Sequence, residues 1–538
     1  MQRTLSLASP IRVSHFANRP FSAIMVRPWP ALAVLVLGMI LRGLLLDRPG
    51  LHPDEALYAS WALRIADGSD PALLGVYVDK PPLVIYLLAA LFRLAGFDGQ
   101  APLDPQRLIL AGRLAALLAS SISLALLWLV ARRVYGPRVA LGALALFALS
   151  PLAVRLSPTL FTDPWLALWM LLGLWAALGR RAWLAGIACG LAYATKQQAL
   201  LFMPLVLAVL LFNQRWPVAL PPLQVVSSRR LAWRWLSGFA LIAVAVLWWD
   251  SLRWQWMPSY WDRSAQAYGG VALALDAGLP QRLAQWGELL SYGLGWPLWL
   301  ALGALVLRAV LNRRDHLAPE RGGPRWFDGL LVVFCASYLL LHVATNLAPW
   351  DRYLLPLLPL LALLLARSAF WAWDAIGDPV QPAGRTGWAR TAAAAAVALG
   401  LLYAGHTASF ARLPLGDGGA YDGVQQVAAH VRRAEPAGAI LYHHWLGWHY
   451  NFYLYAAPVE LRWWQEPADL ARKAAANPGQ RQLIAFSAGR GLESVRTALA
   501  AAGLALSPVL LATDAYGAPS VTLYCIEPAL AGAPRHVP

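Results

Sequence analysis

Long apolar runs separated by short polar loops fill the chain from residue 28 to residue 409. A bilayer core of roughly 30 Å takes about 20 apolar residues of helix, fewer where the ends snorkel. On that rule the pattern predicts about eleven transmembrane spans. They fall near residues 28–46, 108–131, 138–156, 164–179, 182–195, 198–213, 235–252, 283–311, 327–346, 353–373 and 391–409, and only the polar "TKQQ" separates the fifth from the sixth. The N-terminal segment 1–27 carries Arg3, Arg12, Arg19 and Arg27, and the run after it ends in "LRGLLLDRPG" with more spans following. That reads as a retained first span with a cytoplasmic N-terminus, not a cleaved signal.

Arginine placement supports this orientation. With the N-terminus inside, "RRVYGPR", "GRRAW", residues 214–234, "NRRDHLAPERGGPR" and "GRTGWAR" are all inside loops, and all are arginine-rich. The long loop 47–107, the turn from Arg155 to Asp163, the Lys196 turn, the loop 253–282, "NLAPWDRY" and everything after residue 410 then lie outside. Residues 410–538 contain no span. They alternate helical patterns ("DGVQQVAAHVRRAE", "ADLARKAAA", "GLESVRTALAAAG") with short strands ("AGAILYHH", "RQLIAFSA", "SVTLYCIE"), predicting a small periplasmic α/β domain. No Gly-rich phosphate loop follows its strands, and no internal repeat of the inverted-transporter kind is found. The predicted fold is an α-helical polytopic membrane protein with amphipathic surface helices in its first outer loop.

Composition agrees: 59% of the 538 residues are hydrophobic and 13% charged. The formal charge of +16 resides in arginines clustered between apolar runs, so topology rather than nucleic acid explains it. Cys189, Cys335 and Cys525 are far apart and indicate neither a disulfide framework nor a thiolate metal site. Of 44 basic residues only Lys80, Lys196 and Lys473 are lysines. Where arginine has replaced almost every lysine, a retained compact ammonium suits a phosphate read as a point charge.

The outer side holds the residue types that chemistry needs. In "GLHPDEALYASWALR", Pro53 fits a first helical turn and Asp54 and Glu55 fit its positive end, an ordinary acidic start. Asp54, Tyr58 and Trp61 share one face, a carboxylate beside aromatic platforms that suits a sugar. In "VYVDKPPLVIYLLAALFRLAG", Lys80 precedes two prolines and a second amphipathic helix; it suits a phosphate or, equally, snorkels to headgroups. Asp79 pairs with Lys80 or serves as a hard-cation ligand. Lys196 ends a short apolar helix, where snorkelling is the plain alternative. "DSLRWQWMPSYWDRSAQAYGG" mixes Arg253 and Arg263 with Trp254, Trp256, Tyr260 and Trp261; it reads as an interfacial belt, with the arginines also suited to clamping an anionic acceptor or donor phosphate. Glu288, inside the eighth span, is costly in lipid and predicts a paired or cavity-facing residue. His443, His444 and His449 invite zinc, yet adjacent strand histidines face opposite ways and no other ligand is nearby, so an aromatic packing or sugar-contact surface near the acceptor is expected.

"HPDEALYA", "YVDKPPL", "RLSPTLFTDPWLALW", "GLAYATKQQALLFMP" and "DRYLLPLLP" occur in this order between residues 28 and 409. Together they resemble the polyprenyl-phosphate-sugar-dependent glycosyltransferases of the GT-C fold, in the bacterial branch related to protein O-mannosyltransferases and lipid A aminoarabinose transferase. The resemblance implies a multi-pass inner-membrane enzyme moving a hexosyl or pentosyl group to an extracytoplasmic glycan, lipid or protein. It implies Asp54 as general base with Glu55 and Tyr58 flanking it, and Tyr77 and Lys80 at the lipid phosphate. It further implies Asp163 as a second acid, Lys196 as a phosphate or pocket residue, and Arg352 with Tyr353 facing the lipid-phosphate pocket. Asp79 stands where relatives have a glutamate able to bind a metal; its shorter side chain leaves a divalent metal open, and no cofactor is otherwise required.

The residues themselves fit such a reaction, which needs cations for the leaving phosphate and a carboxylate for the acceptor proton. One base suffices for inversion, whereas two carboxylates leave retention open. A transporter or flippase of lipid-linked sugar, or an inactive relative that only binds lipid-linked glycan, are the rival classes. Few charges at mid-span and polar residues gathered on one side disfavour alternating access.

Overall fold

A computed structural model describes residues 29–48, 50–100, 102–216, 218, 227–295, 303, 325–376, 399, 403, 421–487, 491–514 and 516–529. Helices α1 (Trp29–Gly43), α4 (Pro105–Tyr135), α5 (Pro137–Ala148), α7 (Asp163–Leu178), α8 (Ala182–Thr195), α9 (Ala199–Arg215), α10 (Ser228–Ser251), α13 (Arg325–Ala344) and α14 (Leu358–Ile376) coincide with predicted spans. By length and composition α4, α10 and α13 qualify to cross a membrane, and the others are shorter apolar helices. Leu118 on α4, Val244 on α10 and Val333 on α13 are more than 60% exposed. Such outward apolar faces belong against lipid.

One predicted span is broken. Residues 138–156 form no single helix: α5 stops at Ala148, and Ser150, whose Oγ accepts from the Ala153 N–H, caps a separate α6 (Pro151–Leu156). Pro151 has no N–H to continue the α5 ladder and fits a first turn instead. The eighth span begins as α12 (Leu279–Leu294), and Glu288 on it is exposed and bonded by the Tyr292 hydroxyl, so it faces no described cavity. The expected span 391–409 lies outside the described residues except for Leu399 and Tyr403.

The spans share a polarity. Arg132, Arg133, Arg180, Arg181, Arg215, Arg229 and Arg230 lie at one end of their helices. Asp163 opens α7 and Lys196 follows α8 at the opposite end. At that end the first loop folds into α2 (Pro53–Ala66) and α3 (Leu83–Leu94), which pack on each other, with α3 also against α4. We call it the site end.

Close packing uses small residues. Gly186 on α8 meets the Trp235 carbonyl of α10, and Gly238 on α10 meets the Trp183 carbonyl of α8, each with no room for a Cβ. Without a hydrophobic drive between helices in lipid, such close approach supplies the packing. Arg42 is a second device: fully buried on α1, it donates to Ser120 and Ser157 side chains and to the Gly38, Phe147 and Ala148 carbonyls. It thereby ties α1 to α4, α5 and the segment after α6.

Residues 421–529 form a mixed sheet in the order β2-β1-β3-β5-β4, with β1 (Ile440–His443) parallel to β2 (Glu460–Trp463) and β3 (Gln482–Ser487). β5 (Pro519–Pro528) runs antiparallel to β3 and to β4 (Leu504–Thr513). Helices α15 (Val424–Ala434), α16 (Gly447–Tyr453), α17 (Pro467–Ala475) and α18 (Leu492–Ala501) pack with it. Three of these strands and three of these helices match the pattern; β2, β4 and α16 are additional. β4 contains Pro508 beside a register shift, and β2 is four residues long, so neither edge strand has clean alternation. The domain docks on the first loop: His449 Nε2 donates to the Leu51 carbonyl at 2.9 Å and Tyr455 Oη to Asp67 at 2.5 Å.

Gly238→Leu is expected to force α8 and α10 apart and lower thermal stability in detergent, by about 1–3 kcal/mol or more. A melting curve unchanged from the parent protein would contradict the packing role.

Candidate active site

The turn before α2 is built to aim Asp54. His52 Nδ1 accepts from the Asp54 N–H at 3.1 Å, and Glu55 Oε2 accepts from the His52 N–H at 2.9 Å, closing a capping box. Glu55 Oε1 accepts from the Leu160 N–H at 2.8 Å, so Glu55, 5% exposed, clips α2 to the segment before α7. Both its oxygens serve backbone groups, which makes Glu55 a positioning residue rather than a substrate contact. Asp54 is left to meet Arg352, Oδ2 to Nη2 at 2.7 Å, with its side chain 27% exposed.

Arg352 lies on a 3-10 turn, Asp351–Leu354, between α13 and α14, and its guanidinium lies over the rings of Trp350 and Phe161. Burial pushes the Asp54 carboxyl up, but Arg352, His52, Lys80 and Lys196 together outweigh it and hold Asp54 below the ordinary carboxylate value. Asp351 goes the other way: burial raises it despite the Arg352 beside it.

The "TKQQ" turn assembles the rest. Lys196 Nζ meets Asp163 Oδ1 at 2.6 Å and lies 4.8 Å over the Tyr353 ring. Gln197 Nε2 donates to the Asp79 carbonyl at 2.8 Å, and Gln198 bonds the Tyr338 hydroxyl, which donates to the Tyr353 carbonyl. Burial depresses the Lys196 ammonium below the usual lysine range, with Asp163 opposing that shift. Lys80, 4% exposed, meets Asp79 Oδ2 at 2.6 Å. Lys80, Lys196 and Arg352 therefore converge with Asp54, Asp79 and Asp163 from separate segments of the chain, and Tyr58 is close enough to act on Arg352.

A cavity of about 970 Å³ opens from this cluster. Asp54, Asp79, Arg352, Trp350 and Trp61 line its inner side, Tyr77 and Arg263 its rim, and Trp448, Tyr450 and Asn451 of α16 its roof. Arg263 lies over the Tyr77 ring at 5.2 Å. Asp163, 1% exposed, stays behind the wall with Oδ2 lacking a hydrogen bond.

Arg253 is a correction. It is fully buried, donates to the Leu73 and Val76 carbonyls at 3.1 and 3.0 Å, and meets Asp250 at 3.8 Å. Leu73 has φ of 55°, a strained conformation for leucine that this contact holds. Arg253 thus pins the loop that carries Tyr77, Asp79 and Lys80 instead of clamping a ligand. The histidines also separate: His443 is pushed down to about 4 by burial, His444 packs among Trp445, Trp463 and Trp464, and His449 braces Leu51.

At Asp79 one carboxylate oxygen is paired with Lys80, and the second, Oδ1, is buried without a hydrogen-bond partner. No group of three His, Cys, Asp or Glu that could hold a metal occurs among the described residues.

Trp350, Phe161 and Gln197 are contributions that sequence reasoning missed, whereas Trp448, Tyr450 and Asn451 belong to the 441–455 stretch expected to form an aromatic or sugar-contact surface near the acceptor. Trp350 and Gln197 sit beside recognised residues in "APWDRY" and "TKQQ".

The fold is similar to that of GT-C membrane glycosyltransferases, and the sequence is related to transferases that use polyprenyl-phosphate sugars. Residues 79–249 match the dolichyl-phosphate-mannose-protein mannosyltransferase family. The chain is 29% identical over 344 residues to the undecaprenyl phosphate-alpha-4-amino-4-deoxy-L-arabinose arabinosyl transferase of Pseudomonas paraeruginosa, covering 59% of this chain and 55% of that protein. The transferase of the same name from Edwardsiella ictaluri is 27% identical over 335 residues, 59% of this chain and 54% of that one. The chain thus spans little more than half the length of these curated relatives. In structure it is similar to ArnT from Cupriavidus metallidurans bound to undecaprenyl phosphate, with a TM-score of 0.57 at 16% identity over 94% of this chain and 100% of that one. The Archaeoglobus fulgidus oligosaccharyltransferase shares the fold at a TM-score of 0.50 and 12% identity, over 86% of this chain and 69% of that one.

Lys196→Met is expected to cost about 3–5 kcal/mol by stranding buried Asp163, and adding Asp163→Asn should restore most of it. Thermal melts of the two single variants and the double variant measure the coupling; additive losses would contradict the pairing.

Proposed function

We propose that this protein is an inner-membrane glycosyltransferase that moves a sugar from a polyprenyl-phosphate donor to an extracytoplasmic acceptor, with Asp54 as general base. The observation that carries the reading is Asp54 on the wall of the large cavity, held by Arg352 amid Lys80 and Lys196. The arginines at the far helix ends support a cytoplasmic location for that side and a periplasmic one for the site.

In this reading the donor phosphate lies against Lys80 and Lys196, with Tyr77 and Arg263 at the entrance. An acceptor hydroxyl enters beneath Trp448 and Asn451. Its oxygen attacks the anomeric carbon while Asp54 takes its proton, and the bond from that carbon to the phosphate oxygen breaks. The electron pair passes to the phosphate, whose added negative charge the ammonium groups and Arg352 stabilise. Attack opposite the leaving phosphate inverts the anomeric centre. Asp163 holds Lys196 in place.

Asp54→Asn should lower turnover by about 10²–10⁴ while donor still binds, assayed as release of free polyprenyl phosphate from a labelled donor. Unchanged turnover would remove Asp54 from the role. Movement of intact donor between leaflets without cleavage would favour a flippase instead. Lys80→Ala should chiefly raise the donor KM.

Donor binding should also depend on pH. Because burial lowers the Lys196 value, its positive charge disappears as pH rises, before an ordinary lysine near 10.4 would titrate. Donor affinity is therefore expected to fall on the alkaline side in the parent protein and to lose that limb in Lys196→Met. A limb of equal size in both would contradict the assignment.

A further inference from the structure

A second large cavity, about 870 Å³, shares no lining residue with the one containing Asp54. Its walls are the end of α1, the start of α4 and the α15 helix of the C-terminal domain, and five arginines line it: Arg48, Arg107, Arg113, Arg432 and Arg433. Asp47 and Asp104 are the only acids on its lining, and Asp104 is already engaged as the N-cap of α4.

The arginines divide by what they hold. Arg113, 4% exposed, donates to the Leu46, Arg48 and Gly50 carbonyls, and its Nε has no partner. Arg432 donates to the Tyr453 and Tyr455 carbonyls. These hydrogen bonds use neutral acceptors; Glu55 and Asp47 lie close enough to act on the Arg113 charge, while Arg432 has no ion pair among the described residues. The guanidinium groups of Arg48, Arg107 and Arg433 make no hydrogen bond or ion pair to any described residue. An unbalanced set of guanidinium groups in a cavity calls for an anion with several oxygens.

The surroundings identify the kind of anion. Arg107 is in the first turn of α4, at the site end of that span. Leu110, Leu114 and Leu118 follow on one face of the same helix and are 44%, 47% and 61% exposed, with Leu110 itself lining the cavity. On neighbouring α1 and just beyond it, Ile40 and Leu44 are 54% and 58% exposed. A headgroup-level basic pocket therefore opens directly above an apolar strip suited to acyl chains.

We propose that this pocket binds the phosphate headgroup of an anionic lipid from the site-side leaflet, with its acyl chains along α1 and α4. The site is separate from the Asp54 cavity and does not depend on the chain transferring sugar. Occupancy bridges the membrane spans to α15 and so holds the C-terminal domain over the first loop.

The test uses the full-length protein, delipidated in detergent, and native mass spectrometry with dioleoyl-phosphatidylglycerol or dioleoyl-phosphatidylcholine. The protein should retain the anionic lipid preferentially. Arg107→Ala with Arg433→Ala should weaken retention about 25-fold, roughly fivefold for each arginine. Arg107→Lys with Arg433→Lys should keep most of it, and Arg229→Ala with Arg230→Ala, at the opposite end, should leave it unchanged. Thermal melts establish that each variant is folded. Equal retention of both lipids, or parental retention by a folded double alanine variant, overturns the proposal. Displacement of the lipid by millimolar inorganic phosphate also overturns it, in favour of a soluble-phosphate pocket.

Discussion

Holding charge at the edge of a low-dielectric slab is the constraint on which this architecture rests. An isolated carboxylate or ammonium there is expensive, so each must be met by an opposite charge or by hydrogen bonds. The Asp54–Arg352 pair meets that need across the molecule, joining the first loop to the turn between α13 and α14. Lys196–Asp163 joins the turn after α8 to the start of α7, and Gln197 ties that turn to the Asp79 backbone. The groups suited to chemistry are thus also the fasteners of the site end. In the proposed reaction, a donor phosphate entering here competes with carboxylates for cations that are already in place, which favours preorganisation over rearrangement.

Arginine serves as backbone glue away from the site. Arg42, Arg113 and Arg253 each reach two or more carbonyls that helix ends or loops leave without partners. A planar guanidinium with five donors can do this where a lysine with one nitrogen could not span the acceptors. The consequence is a rigid path from α1 to the loop that presents Lys80. His449 adds a brace from the C-terminal domain at Leu51, three residues before Asp54.

The spans were legible because apolar runs of that length and number exceed what a soluble core can bury and match the thickness of a bilayer. The Asp54, Lys80, Lys196 and Arg352 positions were legible because polar groups stand out against such runs. The break at Ser150–Pro151 was hidden inside an apolar run. The role of Arg253 was not readable, because a carbonyl-binding arginine has the same sequence appearance as a substrate contact, and the helix-start reading of Glu55 stood beside its reading as a neighbour of the base. Only three-dimensional partners distinguish them: Leu160 for Glu55, Leu73 and Val76 for Arg253. The 441–455 stretch was legible as an aromatic surface near the acceptor, but which of its side chains line the cavity was not, since α16 reaches the first loop from almost 400 residues away in sequence, as the His449–Leu51 separation of 398 shows.

The most direct measurement is a cryo-EM structure of the full-length protein with polyprenyl phosphate bound. The phosphate is expected within about 3 Å of the Lys80 or Lys196 ammonium, on the cavity side of Asp54, with the lipid tail leaving toward the membrane. A phosphate bound elsewhere, with both lysines still facing only Asp79 and Asp163, would contradict the assignment of this cluster as the donor site.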